Sequence, residues 1–230
     1  MMTLPLIAAI SLACVFLVET YAWFVRANAL NDGRAYVISK SNLILYSSRA
    51  FAFGFQASLS YYLETHGAVE GVLFICVVGF VSSVVIHLLT FYQRTVRGLT
   101  WAAMVGVMRG IRRWDDSLMS RELAPIAKIG SRRLYLATTA STAIFGVAMT
   151  LPYLLALYNP SLRLTFTSLI ALLNFVGMLF LLYLVDPVLY KLMDAGSLRY
   201  SIYDFIAGRI TGFILSLVIA ISVIGGLGLL

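Results

Sequence analysis

The chain has 230 residues, 61% of them hydrophobic and 12% charged, whereas soluble domains carry about 25% charged residues. That composition excludes a soluble globular protein, and six apolar stretches leave no length for a separate soluble domain; residues 1–230 form one polytopic unit. The net charge of +7 implies no nucleic-acid partner, because it collects on alternate connections between the apolar stretches.

A membrane-crossing helix needs ~20 apolar residues. The stretches fall at 4–25, 37–63, 68–92, 133–157, 164–186 and 205–229. The first contains Ser11-Leu12-Ala13-Cys14, which faintly resembles a lipoprotein cleavage site. It lacks a positive leading region, and the apolar run continues to Phe24, so an uncleaved span is expected. Glu19 sits a turn or two from the end of this span, with Trp23 and Arg26 on the same face at i+4 and i+7. Two roles are open to Glu19. It pairs with a cation from another helix, Arg49 or Arg209, or it changes protonation during a transport cycle.

The second stretch holds the most informative pattern. Ser39, Asn42, Tyr46, Arg49, Phe53, Gln56 and Ser60 recur at spacings of three and four, which on a helix of ~3.6 residues per turn places them on one face. A charge such as Arg49 at mid-membrane costs ~2.5–3.5 kcal/mol on insertion scales, so it has a partner or a task. A guanidinium within a polar stripe points to an anionic ligand.

The third stretch ends with His87, Thr90, Arg94 and Arg97 on one face; the histidine is expected to be a hydrogen-bonded packing residue. Gly98 to Met108 is apolar but too short to span, and Arg109, Arg112, Arg113 and Trp114 follow. This segment is expected to be a basic interfacial helix held by anionic lipids, with extension of the third span as the alternative. Asp186-Pro187 is expected to close the fifth span as an ordinary boundary feature, with Asp194 beyond. The sixth carries Arg209, with Gly208 and Gly212 at close-packing spacing. Cys14 and Cys76 both lie within apolar stretches, where free thiols are expected.

Lys and Arg concentrate on the first, third and fifth connections, nine of them between residues 93 and 133. By the positive-inside rule these are cytoplasmic, so the expected fold is an all-α integral membrane protein with six transmembrane helices and both termini outside. The three-plus-three arithmetic permits an inverted repeat, but spans four and five carry no charges equivalent to Glu19 and Arg49. There is no Gly-x-x-x-x-Gly-Lys loop, no Gly-x-Ser-x-Gly elbow and no paired-histidine motif. Neither an enzyme nor a cofactor or metal is expected.

Three patches carry a family resemblance: Glu19-Thr20 with Arg26 and Gly33-Arg34; Asn42, Ser48-Arg49 and Gln56; and Asp186-Pro187, Asp194 and Arg209-Ile210-Thr211-Gly212. In order and spacing the chain resembles the Amj family of bacterial lipid II flippases, departing from it at Trp23, where a tyrosine is the family's residue. The resemblance covers both ends of the chain and not residues 95–160. It implies a multi-pass protein of the bacterial cytoplasmic membrane. The implied activity moves undecaprenyl-pyrophosphate-linked peptidoglycan precursor from the inner to the outer leaflet. On that basis Arg49, Asn42, Gln56, Arg26, Glu19, Arg34 and Arg209 are the candidate substrate-binding residues, with Arg49 gripping the pyrophosphate and Glu19 competing for that arginine. Six helices enclose little volume, so a homodimer with a cavity at the subunit boundary is expected. The same arginine stripe suits transport of another lipid-linked intermediate or an anion. A non-transporting subunit of an envelope-synthesis complex, with Glu19 and Arg49 as a buried pair, is the remaining alternative.

Overall fold

A computed structural model describes residues 3–30, 34–110, 119, 123–126 and 130–227. The side chains of Arg34, Val107, Met108, Thr167, Ala171, Asn174 and Met178 fall outside that set. Eight α-helices are described: α1 (Thr3–Ala27), α2 (Arg34–Thr65), α3 (Val69–His87), α4 (Arg94–Gly110), α5 (Arg132–Tyr158), α6 (Arg163–Phe180), α7 (Asp186–Asp194) and α8 (Leu198–Gly226). The described residues hold no strand, only an isolated bridge between Ala29 and Met119.

Five helical stretches are long and apolar enough to cross a membrane: Thr3–Ala27, Val69–Tyr92, Arg132–Tyr158, Pro160–Asp194 and Leu198–Gly226. The protein is therefore a helical membrane protein. The expected second span forms as one unbroken helix of 32 residues, α2, about 48 Å long. Its polar stripe keeps it below the apolarity of the other five.

Two boundaries differ from the sequence expectation for identifiable reasons. Asp186-Pro187 does not close the fifth span. A wide π-type turn over Leu181–Val185 carries α6 directly into α7, and Pro187 sits in the first turn of α7, where a missing N–H costs little. The sixth span starts earlier than residue 205, at Leu198, after Gly196 reverses the chain with φ 70°. Between α3 and α4 another π-type turn, Leu88–Tyr92, ends at Gln93 in an extended conformation. The Gln93 side chain then accepts the Val96 N–H. The segment after α3 is therefore a separate helix and not a straight extension. Arg112, Arg113 and Trp114, assigned to it from the sequence, lie outside the described residues.

α1 packs against α2 and α3, α8 against α3 and α5, and α6 against α5. Side chains form two apolar cores along the bundle. One contains Leu12, Phe16, Phe80, Met149, Tyr153 and Phe213; the other contains Tyr21, Phe24, Phe91, Leu189, Tyr203 and Phe205. The change from one core to the other falls at Thr20 in α1, His87 in α3 and Arg209 in α8. A polar layer lies at that level. Close approach of α5 and α8 depends on Gly208 and Gly212, where a Cβ would meet Tyr135 O at 2.7 Å and Thr142 Cβ at 2.6 Å. Asp204 fastens the same two helices at one end, accepting the Gly130 and Ser131 N–H groups at 3.0 and 2.7 Å just before α5. Ser131 in turn caps α5 by accepting from Leu134 N. Cys14 and Cys76 are free thiols.

Candidate functional site

The polar layer centres on Arg209, whose side chain is 2% exposed. Its Nη2 donates to Glu19 Oε2 at 2.7 Å, and its Nη1 donates to Thr20 Oγ1 at 3.0 Å and Phe16 O at 3.2 Å. Phe16 and Phe205 flank the guanidinium at 5.7 and 5.5 Å. Its Nε has no hydrogen-bond partner among the described residues. Behind Thr20, His87 is fully buried. Its Nδ1 donates to Ser83 O at 2.6 Å, and its Nε2 meets Thr20 Oγ1 at 2.8 Å. Glu19, Thr20, Arg209 and His87 thus link α1, α8 and α3 through one hydrogen-bonded chain.

Arg26 makes a second built contact. It is 3% exposed, stacks over Trp23 at 4.3 Å, and donates from Nε to Ser41 Oγ at 2.8 Å and from Nη2 to Asn42 Oδ1 at 2.6 Å. Its planar fork fastens the end of α1 to α2.

Both arrangements face one cavity of about 300 Å³ bounded by α1, α2, α5, α6, α7 and α8. Five sequence-predicted residues line it: Glu19, Arg26, Asn42, Arg49 and Arg209. Ser48 and Tyr46 from α2 line it as well, with Asp186 and Tyr190 from α7. Tyr46, Phe175 and Leu182 line the cavity and are also 66%, 54% and 55% exposed on the outer surface. The cavity therefore reaches the apolar surface of the bundle between α2 and α6. A second cavity of about 270 Å³, between α5, α6 and α8, is lined among the described residues by apolar side chains, including Ile144, Val147, Leu173 and Ile219.

The structure sorts two further readings at this site. Gln56, two turns along α2 from Arg49, does not line the cavity. The stripe enters it only through Asn42, Tyr46 and Arg49, because α2 runs past the cavity and carries its later polar residues beyond it. Glu19 takes Arg209 as its ion-pair partner at 2.7 Å, which decides between the two arginines offered by the sequence. The side chain of Arg34 lies outside the described residues. Two other cations, Arg97 and Lys40, are not among the lining residues. Arg97 leaves the cavity to donate to Tyr203 OH at 2.5 Å and Ala124 O at 3.5 Å, and Lys40 lies over Tyr36 at 5.6 Å.

Asp186 is the member that the sequence missed. It lies within electrostatic reach of Arg26, Arg209 and Glu19. The signal was present as Asp-Pro, a dipeptide that ordinarily marks a helix end; only the π-type turn before it turns that end toward the cavity. Three guanidiniums and two carboxylates among the lining residues leave a net positive charge of one. Within a low-dielectric bundle such a lining favours an oxyanion.

The fold and this site define a helical membrane protein with a charged cavity that opens at its exposed apolar surface. No family model, curated protein or solved structure matches the chain.

Proposed function

We propose that the protein is a transporter of a lipid-linked pyrophosphate, and that its substrate is the lipid II class implied by the Amj resemblance. On this proposal α2 also crosses the membrane, giving six spans with both ends of the chain outside, in the bacterial cytoplasmic membrane. The observation that carries the proposal is the convergence of Arg26, Arg49 and Arg209 on one cavity whose rim is made of the exposed Tyr46, Phe175 and Leu182. Arginine's fork suits phosphate oxygens. A lateral rim lets an isoprenoid tail remain in lipid while its polar head enters from the side.

Ligand pockets run from ~300 to 1,000 Å³, so a cavity of about 300 Å³ suits the pyrophosphate and not the whole sugar-peptide head. The head group extends beyond the cavity, and a second subunit or an opening of α2 from α6 gives it room. Arg49 stands on α2 and is carried with that helix on this proposal. Arg209 and Arg26 are anchored by their hydrogen bonds and form the fixed part of the grip. Glu19 balances Arg209 in the absence of substrate.

The test is complementation in cells depleted of their only lipid II flippase, with lipid II of the outer leaflet assayed alongside. The wild type restores growth and outer-leaflet lipid II; Arg49→Ala, expressed and inserted at wild-type level, does not. A properly expressed wild type that fails to rescue transfers the proposal to another lipid-linked intermediate or to an accessory role. Full rescue by Arg49→Ala removes Arg49 from the site.

A further inference from the structure

The charge balance of the cavity has a consequence for how a pyrophosphate enters it. Arg26, Arg49 and Arg209 face Glu19 and Asp186, so the lining carries one net positive charge with both acids ionised. A pyrophosphate that bridges a lipid and a sugar is a diester with two ionised oxygens. Bringing it into the cavity leaves one uncompensated negative charge in a medium of low dielectric. Protonation of one carboxylate removes that excess.

The two carboxylates are not equivalent. Glu19 is locked at 2.7 Å to Arg209, and Arg209 is itself held by Phe16 O and Thr20 Oγ1. Neutralising Glu19 removes the charge that balances Arg209 and weakens one of the contacts joining α1 to α8. Asp186 is half-buried at the first turn of α7 and accepts no hydrogen bond among the described residues. It feels Arg26 and Arg209 only at longer range, with Glu19 opposing. The groups around it are Glu19 and Arg26 from α1, Arg49 from α2, Arg209 from α8 and its own neighbour Tyr190; His87 stands behind Thr20. The walls from α5 and α6 are Phe145, Phe175 and Leu182. An incoming phosphate repels Asp186 directly, because it competes for the same two arginines.

We propose that Asp186 takes up a proton when the cavity binds a pyrophosphate diester, so that loading of the substrate is coupled to one proton. The proton comes from water at the cavity mouth and adds to a carboxylate oxygen; no other bond changes. Release of the ligand returns the carboxylate to its ionised form and frees the proton. The inference rests on the pyrophosphate assignment above and adds the coupled ion to it. It also separates substrates: a monophosphate diester, with one charge, matches the unprotonated lining and needs no proton.

Titration calorimetry on the whole protein in lipid nanodiscs tests this. The probes are a short-chain isoprenyl pyrophosphoryl sugar and the corresponding isoprenyl phosphoryl sugar, each measured in two buffers of different ionisation enthalpy. The wild type is expected to take up about one proton with the pyrophosphate probe, so that its affinity falls about tenfold per pH unit across the range where Asp186 ionises. The monophosphate probe is expected to bind with no uptake. Asp186→Asn is expected to bind the pyrophosphate probe without uptake and without that pH slope, while Glu19→Gln keeps the uptake. Binding by the wild type with no uptake overturns the proton inference and leaves the pyrophosphate site standing. Uptake lost in Glu19→Gln but kept in Asp186→Asn overturns the assignment to Asp186. No binding of either probe by folded wild type overturns the site itself. The wild-type arm needs no variant to fold.

Discussion

Glu19 and Arg209 are separated by 190 positions and meet at 2.7 Å, on helices whose other close neighbours are largely apolar. The pair is asymmetric. Arg209 Nη1 is fixed by two oxygens of α1, Phe16 O and Thr20 Oγ1, while Glu19 lies toward the cavity. Replacing Arg209 by Met leaves the Glu19 carboxylate without its ion-pair partner and is expected to cost about 3–5 kcal/mol. Glu19→Gln keeps an acceptor for Nη2 and is expected to cost about 1–2 kcal/mol. Exchange of the two residues is expected not to restore stability, since a glutamate at 209 faces the Phe16 carbonyl. Thermal melting in detergent distinguishes these cases, and a wild-type Tm in the exchanged variant contradicts the asymmetry.

Arg26 and Asn42 offer a way to separate stability from transport. The contact of Arg26 Nη2 with Asn42 Oδ1 is 2.6 Å, so Asn42→Asp converts it into an ion pair at little geometric cost. The Tm is expected to hold or rise. The same change brings the net charge of the lining to zero, and uptake of an oxyanion is expected to fall at least tenfold. Arg26→Lys is expected to do the reverse of this in part. It keeps the charge but loses the double contact to Ser41 and Asn42, lowering stability by about 1–2 kcal/mol. Parallel melting and transport assays on the two variants check the pair of outcomes. Unchanged transport in Asn42→Asp argues against an anionic ligand.

How much of this was legible in the chain follows from what helix periodicity can encode. Spacing alone put Asn42, Tyr46 and Arg49 on one face of α2, and the structure places all three at the cavity. Spacing has no information on where a helix leaves its neighbours, so Gln56 shared the stripe without sharing the site. Arg209 stood out only as an intramembrane charge, because its partners Phe16, Glu19 and Thr20 lie at the other end of the chain. Asp186 was hidden by Pro187, whose usual meaning as a helix end is overridden by the extra residue of the π-type turn at Leu181–Val185.

The contact between α5 and α8 is expected to tolerate no added carbon at Gly212. A Cβ there lies 2.9 Å from Thr139 O, a backbone atom that cannot rotate away, and 2.6 Å from Thr142 Cβ. Gly212→Ala is expected to destabilise by about 1–3 kcal/mol through separation of the two helices. Gly106 in α4 has open space where its Cβ would go, so Gly106→Ala is expected to be neutral or to stabilise by about 1 kcal/mol through helix propensity. Equal effects of the two substitutions on Tm contradict a packing role for Gly212.

The crossing of α2 is the hinge of the topology, because five spans place the ends of the chain on opposite sides and six place them together. Single cysteines introduced after Cys14 and Cys76 are replaced by Ala report this through an impermeant maleimide on intact cells. Leu30 lies before α2 and His66 after it, both exposed. With six spans, His66→Cys and Ser161→Cys are expected to label from outside, whereas Leu30→Cys, Gln93→Cys and Ala195→Cys label only after permeabilisation. That pattern requires Arg49 to sit within the membrane, since it lies near the middle of a helix running Arg34–Thr65. Equal outside labelling of Leu30→Cys and His66→Cys instead lays α2 along the surface. Arg49 then meets the interface, where a guanidinium is hydrated at little cost, and the energetic reason for giving it a ligand disappears.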